Sequence, residues 1–201
     1  MYFQGHILDS SSTIDKCDIR EDEVVYCFTK KDQVVGGKEC DFYFFAEFND
    51  YNMAESCPFM VPCKKTDRIE DILLFIQDKT GIEHQKLQLK SGTKDIDQET
   101  KTLTDRSRKI SEYEIPKGST LEITIAQQNT IQMMFVKVFY CSENDSNEVS
   151  VDCDPMMTVW QLKTKIKEIF WYKHHQQRLT YQGDLMDEYR SLKFYNIYDN
   201  S

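Results

Sequence analysis

The sequence has no Cys-x-x-Cys pair, no excess of basic residues, no apolar run of membrane-spanning length and no glycine-rich loop ahead of a helix. Each absence removes a class of function. Cys17, Cys27, Cys40, Cys57, Cys63, Cys141 and Cys153 are odd in number and lack redox or zinc spacing, so a secreted disulfide framework is not expected. Several of them alternate with apolar residues in strand-like runs, and buried free thiols are the expectation. Twenty-five Lys and Arg against 34 Asp and Glu give a formal net charge of -9. That is the wrong sign for nucleic-acid phosphates or an anionic membrane. No stretch has the length of a membrane span, and no basic-then-apolar leader opens the sequence. The expected location is the cytoplasm or nucleus. The phosphate-cradling loop of nucleotide enzymes is missing. His174-His175 is an adjacent pair whose rings diverge in any regular element, with no Cys or carboxylate at ligand spacing. A solvated loop is expected there, with no metal and no cofactor. No motif marks a Cys–His nucleophile, and no enzyme is expected.

What is present is a repeated amphipathic helix. Apolar content of 40% and aromatic content of 12% suffice for packed cores, and 201 residues suit one large domain or two small ones. In residues 68–82, Ile69, Ile72, Leu73 and Ile76 fall on one face of a 3.6-period helix. Asp67 and Glu70 have the spacing of a capping box, and Gly81 stands where a left-handed residue ends a helix. A second copy covers 158–170, with Val159, Leu162 and Ile166 inward and Thr158 and Gln161 in the capping positions. Trp160 lies beside inward Val159, so it is expected to face partly outward and to meet a neighbouring domain.

Strand-like stretches surround both helices. Residues 41–48 are aromatic and β-prone. In 58–63, Phe59, Val61 and Cys63 alternate with Pro58, Met60 and Pro62, and the prolines predict an edge strand. Leu87 and Leu89 mark a short strand, a long polar segment follows to Ser111, and 120–126 alternates through Leu121, Ile123 and Ile125.

This order resembles the β-grasp fold of the ubiquitin family. Ile76-Gln77-Asp78-Lys79-Thr80-Gly81-Ile82 is close to ubiquitin's helix end, and Ile115-Pro116-Lys117-Gly118-Ser119-Thr120-Leu121-Glu122-Ile123 resembles its final turn and strand. Met133-Met134-Phe135-Val136-Lys137-Val138 is similar to its first strand. Gln176-Gln177-Arg178-Leu179-Thr180-Tyr181-Gln182-Gly183 is similar to its third strand and turn. The resemblance implies an α+β chain with tandem ubiquitin-like domains over 41–126 and 131–201, joined by a short polar linker at 127–130. In that pattern the sequence reaches Ser201 where a central fifth strand begins. Without two or three inward side chains, at about 1.5–3 kcal/mol each, residues 131–201 are not expected to be stable alone.

The first 37 residues hold a further repeat. Phe3-Gln4-Gly5-His6-Ile7-Leu8-Asp9 parallels Tyr181-Gln182-Gly183-Asp184-Leu185-Met186-Asp187, and Ser12 to Ile19 parallels Arg190 to Ile197. Residues 1–37 therefore read as the back half of a ubiquitin-like unit, or else as a linker behind a tag scar, given Tyr2-Phe3-Gln4-Gly5. The stretch 23–28 (Glu23-Val24-Val25-Tyr26-Cys27-Phe28) stands where a fifth strand belongs. It is expected to complete the sheet of 131–201, within one chain or by strand exchange between copies. The competing reading is a chain cut at arbitrary points.

Members of the family are mostly bound through an apolar patch on the exposed sheet face. In the middle unit those positions carry Gln88, Glu122 and Thr124, so the patch is polar. In the last unit they carry Phe139 and Thr180, with Tyr26 and Phe28 added if 23–28 completes the sheet. The resemblance thus implies a protein-binding site of Phe139, Thr180, Tyr26 and Phe28, unless those rings pack between units. Two of ubiquitin's chain-linking lysine positions hold Asp184 and Asp199, which argues against chain building there. Gly36-Gly37 precedes further chain and reads as a linker. The expected function is a non-enzymatic tandem module binding proteins of the ubiquitin system. The alternatives are a two-domain ubiquitin-like modifier, or the accessory region of a deubiquitinase or ubiquitin ligase.

Overall fold

The computed structural model describes residues 2–3, 6–7, 11, 27, 34–35, 38–48, 57–91, 101–126, 133–141 and 146–199. Its elements give an α+β chain. Contacts divide it into two compact units. One comprises Met1–Asp50, Pro58–Phe75 and Leu87–Ile125, the other Tyr51–Cys57, Ile76–Lys86 and Ala126–Ser201. Near the N-terminus, β1 (Tyr2–Phe3) and β2 (His6–Ile7) form an antiparallel hairpin, as do β3 (Val34–Val35) and β4 (Lys38–Glu39).

The first unit is built on a five-stranded mixed sheet. β5 (Phe42–Phe48) and β6 (Phe59–Cys63) are antiparallel, β9 (Thr120–Ile125) runs parallel to β5, and β7 (Leu87–Ser91) is antiparallel to β9. β8 (Lys101–Thr102) closes the order β6-β5-β9-β7-β8. The proline-bearing strand β6 is at the edge, as its composition predicts, because Pro62 has no ladder N–H to give. β9 is central. Its Leu121 and Ile123 are buried, as are Phe44 and Ala46 of β5 and Leu87 and Leu89 of β7.

Helix α1 (Ile69–Thr80) buries Ile69, Ile72, Leu73 and Ile76, the face read from the periodicity. Its cap differs from expectation by one residue. Asp67 accepts from the Lys64 N–H at 2.8 Å, and Asp71, not Glu70, reaches back to the Arg68 N–H at 2.8 Å. Glu70 instead pairs with Arg106 at 3.5 Å. Both carboxylates stand in the first turn, so spacing alone does not choose between them. Gly81 ends the helix at φ 77, with its N–H on the Gln77 carbonyl at 2.7 Å.

In the second unit, β10 (Met134–Cys141) pairs along its length with β11 (Ser146–Cys153). Helix α2 (Val159–Phe170) follows, with both halves of the expected Thr158–Gln161 capping box present. β12 (Thr180–Tyr181) and β13 (Asp184–Leu185) make a two-residue hairpin, and a 3-10 helix covers Leu192–Tyr195. Met134, Val136, Val151 and Cys153 pack with Val159, Leu162 and Ile166 of the helix and with Met186, Leu192 and Ile197. Val138, Leu179 and Tyr181 pack against this core only half-buried.

Among the described residues, β10 has no ladder partner on the edge away from β11, and β12 pairs only with β13. The Phe135 N–H on that edge is met by the Asp199 carboxylate at 2.8 Å. Of the stretch 23–28, expected to complete this sheet, Cys27 is the one described residue, and it is exposed and outside any strand. The rest of that stretch, with Tyr26 and Phe28, lies outside the described residues, as does linker 127–130. The C-terminal end of α2 is also unusual. Trp171 takes the left-handed cap at φ 63, its N–H on the Lys167 carbonyl at 2.8 Å, and is 85% exposed.

Candidate functional site

Alternation along β10 sends Met134, Val136 and Val138 inward and Phe135, Lys137 and Phe139 outward. Phe139 is 70% exposed and Phe135 53%, while Lys137 between them pairs with Glu148 at 3.0 Å. Two exposed rings flank this ion pair, and aromatic residues are enriched where protein partners dock. Thr180 is exposed on β12. No ladder joins β10 to β12 among the described residues, so Phe139 and Thr180 occupy separate two-stranded sheets.

The corresponding face of the first unit is polar, as expected. Gln88 stands opposite Thr124 and Lys90 opposite Glu122. Farther across the same sheet, Phe45 and Met60 are buried with Tyr43 packed against them, and the Tyr43 and Phe45 rings meet edge-on at 5.8 Å. The signal for this covered patch was β5 itself, which is apolar on both faces and not merely alternating.

The second unit also contains a braced polar cluster that the sequence reading missed. Two expectations need correction here. His174 is not in a solvated loop: it is buried, in the 3-10 helix His174–Gln176, while only His175 is exposed. Trp160 does not face outward. It is buried, and its indole stacks on the His174 imidazole at 4.1 Å and 10° within the same unit. Thr164 Oγ1 donates to the Trp160 carbonyl at 3.2 Å and meets His174 Nε2 at 2.8 Å. With the hydroxyl proton on that carbonyl, the imidazole Nε2–H is the donor.

Beside this stack, Gln177 Nε2 donates to the Lys163 carbonyl at 2.9 Å and the Tyr172 carbonyl at 2.7 Å, tying helix α2 to the chain that follows it. The Lys163 side chain is 8% exposed and its Nζ reaches Glu188 Oε1 at 2.6 Å. Lys163, His174, Gln177, Met186 and Glu188 are among the residues lining a cavity of about 390 Å³. The signal was available. Val159, Leu162, Lys163 and Ile166 are the i, i+3, i+4, i+7 set of α2, and a lysine on that face calls for a counter-charge within reach.

Two of the described thiols are poorly placed for nucleophilic chemistry. Burial pushes the Cys63 thiol up to about 12 and Cys153 up to about 11, so both are held as thiols. Burial raises the Tyr189 phenol as well. Among the described residues no group of three or more His, Cys, Asp or Glu is placed to hold a metal ion. None of their helices is long and apolar enough to cross a membrane.

With this geometry in hand, comparison with known proteins bears on the second unit. Residues 134–201 match the ubiquitin family. The matched segment runs from β10 through the 3-10 helix Leu192–Tyr195, so the exposed rings of β10 and the braced cluster both belong to it. Among solved structures, the chain is similar to the NMR structure of a ubiquitin-like domain from an Arabidopsis thaliana protein. The two are 18% identical over 44% of this chain and 81% of that one, with a TM-score of 0.33.

Proposed function

We propose that the chain is a non-enzymatic module of tandem ubiquitin-like domains, 41–126 and 131–201 behind a partial unit 1–37. In this reading it binds proteins of the ubiquitin system in the cytoplasm or nucleus. The observation that carries the proposal is the pair of exposed rings, Phe135 and Phe139, on the outward face of the segment that matches the ubiquitin family. Aromatic side chains are enriched among the residues that dominate binding energy once a partner desolvates them. The first unit presents Gln88, Lys90, Glu122 and Thr124 on its own face and is assigned no such role.

The test uses isolated helical ubiquitin-binding domains as probes, titrated against the full chain. Phe139→Ala should weaken the tightest of them by roughly 30-fold, the loss of an aromatic hot spot. Its thermal unfolding should stay unchanged, because the ring is already in water. Equal affinity for wild type and variant, or no binding by any probe, refutes the proposal.

A further inference from the structure

We infer that the C-terminal end of α2 is a membrane-docking tip that sets Trp171 into the interface of an anionic bilayer. Ile169, Phe170, Trp171 and Tyr172 are four large apolar residues in succession. Successive side chains of a helix are rotated by about 100°, so these four radiate around its end and no single core surface covers them all. Phe170 is half-buried, and its ring meets those of Tyr140 at 4.4 Å and Tyr172 at 6.4 Å. The other three are left to solvent: Ile169 and Tyr172 are each 43% exposed and Trp171 85%. Alternation on β10 turns Tyr140 away from the face that bears Phe135 and Phe139. The tip is therefore a second surface, and its role does not rest on the protein-binding reading of that face.

Charge around the tip identifies what covers it. The net charge of -9 sets the chain as a whole against an anionic surface, but that charge is unevenly spread. From Pro155 to Gly183, Glu168 is the single acidic residue against Lys163, Lys165, Lys167, Lys173 and Arg178. Lys163 pairs with Glu188 at 2.6 Å and Lys165 with Asp152 at 3.3 Å. Lys167 and Lys173 bracket the apolar residues. The Lys167 carbonyl accepts the Trp171 N–H at 2.8 Å from one turn below, and Lys173 directly follows Tyr172. Arg178 is exposed in the segment that follows. Charges elsewhere are screened over about 8 Å at physiological salt, so a surface in contact with the tip meets its lysines and not the chain average.

Shape and residue type favour a bilayer over other anionic partners. Trp and Tyr flanked by Lys are the residues that settle between lipid headgroups and acyl chains. Exposed Ile169 has no aromatic face on which a nucleic-acid base could stack. A ring as exposed as that of Trp171 projects from its surroundings, and a bilayer needs no matching pocket to receive it. Trp171 also holds the left-handed backbone at the helix end, a conformation open to glycine without strain. Strain beneath a side chain that the core does not use points to a use outside the fold.

The test is binding of the full chain to phosphatidylcholine vesicles with and without phosphatidylserine, read by co-sedimentation and tryptophan emission. Reversible binding to the anionic vesicles is expected at roughly millimolar lipid, and it should weaken as salt is added. Trp160 is buried, so a blue shift of emission on binding belongs to Trp171. Trp171→Gly should abolish that shift and weaken binding about tenfold or more, without lowering the thermal unfolding midpoint. Lys173→Glu reverses one charge beside the tip and should weaken binding to the anionic vesicles roughly 25-fold. Oligothymidylate and polyglutamate are titrated in parallel as the competing anionic polymers. Absence of vesicle binding, equal binding to both lipid compositions, or binding that neither variant weakens overturns the inference. A Trp171 response to either polymer and not to vesicles overturns it as well.

Discussion

The ion pair between Lys163 and Glu188 gives a prediction whose sign separates a buried charge from a surface one. The two ends are unequal: the lysine side chain is 8% exposed and the glutamate 39%, at 2.6 Å. Glu188→Ala leaves the ammonium in its enclosed position without an acceptor. A charged hydrogen bond contributes about 1.5–3 kcal/mol, and the half-open glutamate end discounts this toward the lower figure, about 2 kcal/mol. Lys163→Met keeps the apolar stem, removes the buried charge together with its desolvation, and leaves Glu188 free to hydrate. The expected loss is under about 1 kcal/mol. The double variant should match Lys163→Met, because the stranded ammonium is gone in both. Urea unfolding followed by tryptophan fluorescence is the suitable assay. Both tryptophans, Trp160 and Trp171, lie in the second unit, so excitation selective for indole reports that unit alone. Equal losses for the two single variants, or a larger loss for Lys163→Met, would refute the account of which charge is buried.

Two further outcomes are expected. Thr158→Ala removes one half of the capping box on α2 and should cost the second unit about 1 kcal/mol in the same assay; a loss below about 0.3 kcal/mol would contradict the cap's role. For the thiols, native-state alkylation at pH 8 followed by mass mapping should modify exposed Cys27 and spare Cys63 and Cys153 until denaturant is added. Because the folded thiols sit at about 12 and about 11 against a usual 9.0, their contribution is fully present below pH 9.0. It is lost as pH rises toward the folded values, so stability should fall over that alkaline window.

The legible parts of the fold were those set by short periods. The buried face of α1, the capping box of α2, the proline-marked edge strand β6 and the alternation of β9 all follow from spacing within a dozen residues. The features that escaped depend on contacts between elements. His174 is buried because a 3-10 turn folds back onto α2 and meets Trp160, a pairing that hydropathy along the chain does not carry. The polar stretch after β7 conceals Leu103, Ile110 and Tyr113, all buried; single apolar residues among charges give no period to read. At the candidate face, Phe139 was named by the resemblance to the ubiquitin family and not by any pattern along β10. Its placement in a separate sheet from Thr180 was not legible, because that follows from which ladders form among the described residues.

Trp171 has a consequence for how this sequence changes over generations. It sits in a left-handed backbone conformation that disfavours a residue bearing a Cβ by about 1–2 kcal/mol and that glycine adopts freely. Its ring, 85% exposed, recovers nothing by burial. Under selection for folding alone, drift favours glycine at this position, and a single nucleotide separates the two codons. Whether related genes keep indole at the end of this helix is therefore a direct gauge of whether the ring itself is under selection.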